Sequence, residues 1–213
     1  MDYEKLTLKL YGIVKKILKR SPRCHDWEHT ERVINNAKLI AEKEDCDLLV
    51  VELGALLHDI ARADEISIKG KLCHARQGAK IVDDILKKEH IDKNLRIQIV
   101  RCVRRHRFRS SQKPESIEEK IVYDADKLDS LGAVGIGRSF LFAGRIGAKV
   151  HNKMEVALHS KTYTENDTAY REYLVKQRLL PSKMLTRAGR KIAKKRLAFM
   201  KKFFEEINSE VYG

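Results

Sequence analysis

The stretch ELGALLHDIARADE, residues 52–65, ends an apolar run with an imidazole and a carboxylate side by side, His58 and Asp59. Burying an ionised carboxylate costs several kcal/mol unless something pairs with it, and a divalent cation satisfies an imidazole and a carboxylate together. For an isolated pair the commoner explanation is a local cap or salt bridge at Asp59 and a hydrogen-bonded core histidine at His58. This pair is not isolated. His29 in DWEHTERV, His74 in KLCHARQGA, His106 in VRRHRF and Asp126 in YDADKLDSLG each lie in a segment of helical periodicity, with apolar residues three or four positions away. Imidazole and carboxylate donors from well-separated segments describe a site for a first-row metal or magnesium, the ion being Mn, Mg, Fe, Ni or Zn.

The helices that must carry these groups are legible from periodicity and breakers. Leu6, Leu8, Leu10, Ile13, Val14, Ile17 and Leu18 recur at helical spacing between Tyr3 and Arg20. Asp26 is placed as N-cap of a helix over Trp27 to Lys43, with His29 in its first turn and Val33, Ala37 and Ile40 extending its face inward. EDCD starts a central helix, Leu48 to Leu57 in its apolar part, that is expected to end after Asp59 and Ile60, and Arg62, Asp64 and Glu65 are expected in a loop bordering the pocket. Helices follow over Lys71 to Lys88, with Gly78 allowing close approach, and from about Asn94 to His106. After a loop closed by Ser116 as possible N-cap comes IEEKIVYDADKLDSLGAVGIGRSF. From Leu141 to Leu180 the pattern loosens, the TYTENDT stretch suggesting a lid or insertion, with His151 and His159 expected at the surface. A basic amphipathic helix over Thr186 to Glu210 is expected to dock through Leu197, Met200 and Phe204.

The blocks CHDWEHTERV, LLHDIA, a histidine followed by QGA, and DADKLDSLGAVGIGR occur in the order found in the HD-domain superfamily of metal-dependent phosphohydrolases. The chain resembles its small stand-alone bacterial and archaeal members from about His25 to about Phe140. The resemblance implies an all-α fold, an HD-domain helical bundle with a metal site in the core. It implies His29, His58, Asp59 and Asp126 as ligands of one cation, Asp126 being the aspartate directly before a basic residue, Lys127. It also implies that His74 and His106, standing between the doublet and the last aspartate, hold a second cation. Alternatively, they hydrogen-bond substrate phosphate or a bridging water. His25 stands near His29 as a competing ligand or a loop histidine, and Asp124 and Asp129 are read as supporting or packing groups.

The catalytic assignments are thus Asp59, His74 and His106, and the substrate-binding ones Arg32, Arg62 and Lys127. The expected reaction is hydrolysis of a phosphoester or phosphoanhydride of a small phosphorylated substrate, a nucleotide being preferred, as a nucleoside triphosphate pyrophosphohydrolase or nucleotidase. The rivals are an HD-fold di-iron oxygenase and a non-enzymatic RNA-binding helical module. The 213 residues are read as a single domain, 1–213, with a motif-bearing core over about 20–140 and a helical extension over about 141–213.

Composition fits these readings. With 43% hydrophobic and 35% charged residues, three prolines and eleven glycines, the chain is a globular helix former rather than a disordered one. The four cysteines form no CxxC pair, so reduced thiols and a cytoplasmic location are expected. The N-terminal segment has charges throughout and matches neither a signal peptide nor a membrane span. A net charge of +14, from 44 basic and 30 acidic residues, draws in anions; nucleic acid is compatible with that but is not the favoured partner.

Overall fold

Leu6, Leu10, Val14 and Leu18 repeat every fourth residue, and helix α1 (Tyr3–Leu18) buries all four, its first turn capped by the Asp2 carboxylate, whereas Leu8 falls off that stripe and is exposed. The computed structural model describes residues 2–19, 26–62, 73–107 and 112–213. His25, Asp64 and Glu65, and the end of the basic run after Arg107, lie outside them. The chain divides into two compact units, Met1–Asp126 and Lys127–Gly213. Among the described residues all regular structure is helical.

In the first unit α2 (Trp27–Ala41) and α3 (Leu48–Leu57) pack together, and α1 lies against both. Asp47 caps α3, accepting hydrogen bonds from the amides of Leu49 and Val50. Helix α3 is buried on nearly every side, which is why its sequence is apolar without periodic interruption. It ends at Leu57, so His58 and Asp59 occupy the turn just beyond it rather than the last helical turn. Helix α4 (His74–Lys88) pairs with α5 (Lys93–Arg105), and α5 in turn packs on α3. That last approach depends on Gly54, where an added Cβ would stand 2.8 Å from the Cβ of Cys102. A Cβ at Gly78 would meet Ile60 Cγ2 at 3.4 Å, an ordinary contact, so the glycine there is permitted rather than required.

Helix α6 (Ile117–Leu128) starts where Ser116 accepts a hydrogen bond from the amide of Glu119, as its sequence suggests. Buried Glu119 receives the Arg105 guanidinium at 3.0 Å, which ties α6 to the end of α5.

The second unit begins inside the last turn of α6. Asp129 is buried and pairs with Arg138 at 2.7 Å, on α7 (Gly132–Arg145). Close behind, Gly135 could not be another residue without a backbone shift, since its Cβ would fall 2.3 Å from the Ser130 carbonyl oxygen. Short helices α8 (Met154–His159), α9 (Ala169–Val175) and α10 (Leu180–Lys183) follow. The TYTENDT segment is a hydrogen-bonded turn: Asp167 accepts from the Tyr163 amide at 2.8 Å and pairs with Arg171 at 3.0 Å. His159 is exposed as expected, whereas His151 is partly buried, hydrogen-bonded to Asn208 and set against the Tyr170 ring at 4.6 Å. Helix α11 (Arg187–Tyr212), capped by Thr186, buries Gly189, Ala193, Met200 and Phe204, while Leu197 is only partly covered.

Candidate metal centre

Three of the four histidines of the cluster are placed by local backbone devices. The Asp26 carboxylate that caps α2 accepts from the backbone amide of His29 itself, at 3.1 Å, so the cap fixes the turn that bears the imidazole. His58 sits at the C-terminus of α3, where its Nδ1 donates to the Ala55 carbonyl at 2.8 Å. His106 repeats this at the end of α5, donating from Nδ1 to the Val103 carbonyl at 2.7 Å. A carbonyl can only accept, so both rings carry a proton on Nδ1 and, when neutral, present a lone pair at Nε2. Burial pushes the His58 pKa down to about 4, against the opposing pull of Asp59, and burial likewise lowers that of His106. At neutral pH both are therefore neutral donors.

The rings converge on Asp59. Its Oδ2 lies 3.8 Å from Nε2 of His29 and 3.8 Å from Nε2 of His58, while its Oδ1 lies 3.2 Å from Nε2 of His74 and 3.6 Å from Nε2 of His106. On the Oδ2 side, Nε2 of His29 is 3.4 Å from that of His58 and 3.6 Å from Oδ1 of Asp126. On the Oδ1 side, the Nε2 atoms of His74 and His106 are 3.1 Å apart. The ligand atoms of His29, His58 and Asp126, and those of Asp59, His74 and His106, form two sets, each within 4.8 Å throughout. Ligands about 2.1 Å from one cation stand about 3.0 Å apart at right angles and about 3.4 Å apart at tetrahedral angles. The His29–His58, His74–His106 and His74–Asp59 spacings fall within that range, and the other four, at 3.6–3.8 Å, lie a few tenths of an ångström above it. A mixed imidazole and carboxylate donor set of this kind fits divalent first-row ions.

All these groups are buried, except that Asp126 keeps 23% of its side chain exposed. Arg62 reaches the cluster, its Nη1 donating to Nδ1 of His74 at 3.0 Å. That bond leaves the proton of a neutral His74 on Nε2, facing Oδ1 of Asp59. Offering Nε2 to a cation requires moving the proton to Nδ1 and turning Arg62 away. Arg32 is half-buried on α2, one turn beyond His29, and Lys127 is buried in the second unit. Asp124 is fully buried on α6, and Asp129 serves as the partner of Arg138.

Two features of the site are not visible in the sequence pattern. Asp59 turns one oxygen to each pair of histidines. Asn36, on the inward face of α2 seven residues after His29, donates from Nδ2 to the carbonyl of Ala125 at 3.2 Å and so couples the helices bearing His29 and Asp126. A buried asparagine amid Val33, Ala37 and Ile40 is the signal that could have marked it.

An HD-domain family model matches residues 26–131. The Bacillus subtilis protein YpgQ is 35% identical over 204 residues, a match covering 94% of this chain and 91% of that protein. The crystal structure of YpgQ in complex with ADP superposes with a TM-score of 0.77, covering 100% of this chain and 98% of the other at 30% identity. That of an HD-superfamily hydrolase from Bacillus thuringiensis gives a TM-score of 0.76 at 28% identity, covering 99% of this chain and 100% of the other. With its His29, His58–Asp59 and Asp126 drawn together inside a helical unit, and with relatives this similar over nearly their full length, the chain belongs to the HD-domain family.

Proposed function

We propose that the protein is a metal-dependent phosphohydrolase that cleaves a phosphoester or phosphoanhydride of a nucleotide. The observation that carries this reading is Asp59, a buried carboxylate with each oxygen facing a separate pair of imidazoles. In this reading His29, His58, Asp59 and Asp126 hold one divalent cation, and Asp59, His74 and His106 a second. Bound there, the cations supply a water of lowered pKa and charge neutralisation at the phosphoryl oxygens. The chain's own groups do the rest. The Nδ1 bonds to Ala55 and Val103 keep His58 and His106 oriented and in the donor tautomer. Arg32 and Arg62 supply positive charge for the phosphates, and Lys127 is assigned a similar role from its place after Asp126 in the motif. A nucleotide is favoured as substrate because the similar YpgQ has been crystallised with ADP.

The test is elemental analysis of the purified protein, followed by phosphate and pyrophosphate release from a nucleotide panel with Mn, Mg, Fe, Ni and Zn. Metal-stimulated release that disappears in Asp59→Asn with the fold intact is the expected result. The same donor set could hold two irons, so oxygen uptake is measured in parallel. Tightly bound iron with visible absorption, oxygen consumption and no phosphate release would replace the hydrolase by an oxygenase.

A further inference from the structure

Between Glu172 and Glu205 the chain has no acidic residue and eleven basic ones, the last eight of them on α11, where Arg196 is half-covered. At 100° per residue, Arg187, Arg190, Lys191, Lys194, Lys195, Lys201 and Lys202 fall within about 140° of the helix circumference. All seven are exposed. The packing residues Gly189, Ala193, Met200 and Phe204 lie on the roughly opposite side. The cationic face is about 22 Å long, the length of about six stacked nucleotides. Beside its C-terminal half opens a cleft of about 170 Å³ lined by Tyr170, Tyr173, Phe204, Lys201, Glu205 and Asn208, where Lys201 pairs with Glu205 at 3.6 Å. Within it the Tyr173 and Phe204 rings stack at 4.6 Å, with 27° between their planes.

We propose that this face of α11 binds single-stranded nucleic acid, the phosphodiester backbone tracking the lysines and arginines and one base entering the aromatic cleft. A helix that lies on a membrane turns its apolar side to the lipid. Here that side is buried within the second unit, and the exposed apolar side chains of the helix are Phe199, beside the cations, and Val211 and Tyr212 in the last turn, too few and too scattered for an apolar lipid-facing side. An aromatic cleft next to a row of cations, with Tyr173 as its partly exposed ring, is instead the arrangement that holds unpaired strands irrespective of sequence. None of these residues is among the candidate metal ligands.

The test measures fluorescence anisotropy of labelled 12-nucleotide oligouridylate and oligothymidylate over a salt series, with EDTA present and the full chain throughout. Affinity for the single strand is expected to fall linearly in log–log form with salt. The triple variant Lys191→Glu, Lys194→Glu, Lys195→Glu is expected to weaken binding at least 30-fold and to flatten the slope by about 2. Tyr173→Ala is expected to weaken it about fivefold or more without changing the slope. Asp59→Asn, and the double reversal Lys5→Glu, Lys16→Glu on α1, are expected to leave it unchanged, with circular dichroism checking the fold of each. The two strands distinguish RNA from DNA as the source of the backbone. Absence of binding at low salt, equal loss in the α1 variant, tighter binding of a duplex of the same length, or tighter binding of phosphatidylserine vesicles would each overturn the proposal.

Discussion

Replacing Asp59 by Asn removes the charge that faces both histidine pairs, whereas His106→Ala removes a donor from one side only. The expected outcome is loss of both cations and all turnover in Asp59→Asn. In His106→Ala one cation should remain, with turnover lowered about 100-fold or more, as checked by metal stoichiometry and steady-state kinetics. Asn36→Leu should cost about 1–3 kcal/mol in chemical denaturation, because the Ala125 carbonyl loses its buried partner, and should weaken metal affinity about tenfold by loosening α2 against α6. Residue types and order made His29, His58, Asp59 and Asp126 readable in advance, since few environments bury a carboxylate beside imidazoles. The division of Asp59 between two sides was not readable, because it depends on a side-chain rotation that spacing does not encode. Nor was the cover over His151, which aromatic neighbours from distant helices supply.

At the scale of the elements, caps proved more legible than ends. Asp26, Asp47 and Ser116 start their helices because a short acceptor side chain meets otherwise unpaired amides. Helix ends carry no comparable signal, and α3 closes at Leu57, short of the end expected after Asp59 and Ile60. Packing distance separates the two glycines of the first unit. Gly54→Ala should destabilise by about 1–3 kcal/mol through overpacking against Cys102, while Gly78→Ala should be neutral or gain up to about 1 kcal/mol of helix propensity. Denaturant midpoints measure both. The α4–α5 pair is clasped by Asp83, whose carboxyl is held below its ordinary 3.8 mainly by the hydrogen bond from Lys87, with Arg96 adding to it. A depressed carboxylate pKa stabilises the fold above the unfolded value and ceases to do so as pH falls through the folded one. Wild type should therefore exceed Asp83→Asn in stability near neutrality by a margin that shrinks below pH 3.8.

For the whole molecule, ligand binding to the native state alone raises stability by mass action, about 2.7 kcal/mol at 100 times the dissociation constant. For a chain of this length that corresponds to about 5–10 °C in Tm. Adding Mn²⁺ to metal-free protein should produce a rise of that order, EDTA should reverse it, and Asp59→Asn should show neither in a thermal melt. The candidate ligands come from α2, the turn after α3, the start of α4, the end of α5 and α6, whereas α1 contributes none. Hydrogen–deuterium exchange makes this difference observable. Loading the centre should slow amide exchange along the ligand-bearing segments together, while the α1 amides keep the protection they have without metal, so that one helix serves as an internal clock for the others.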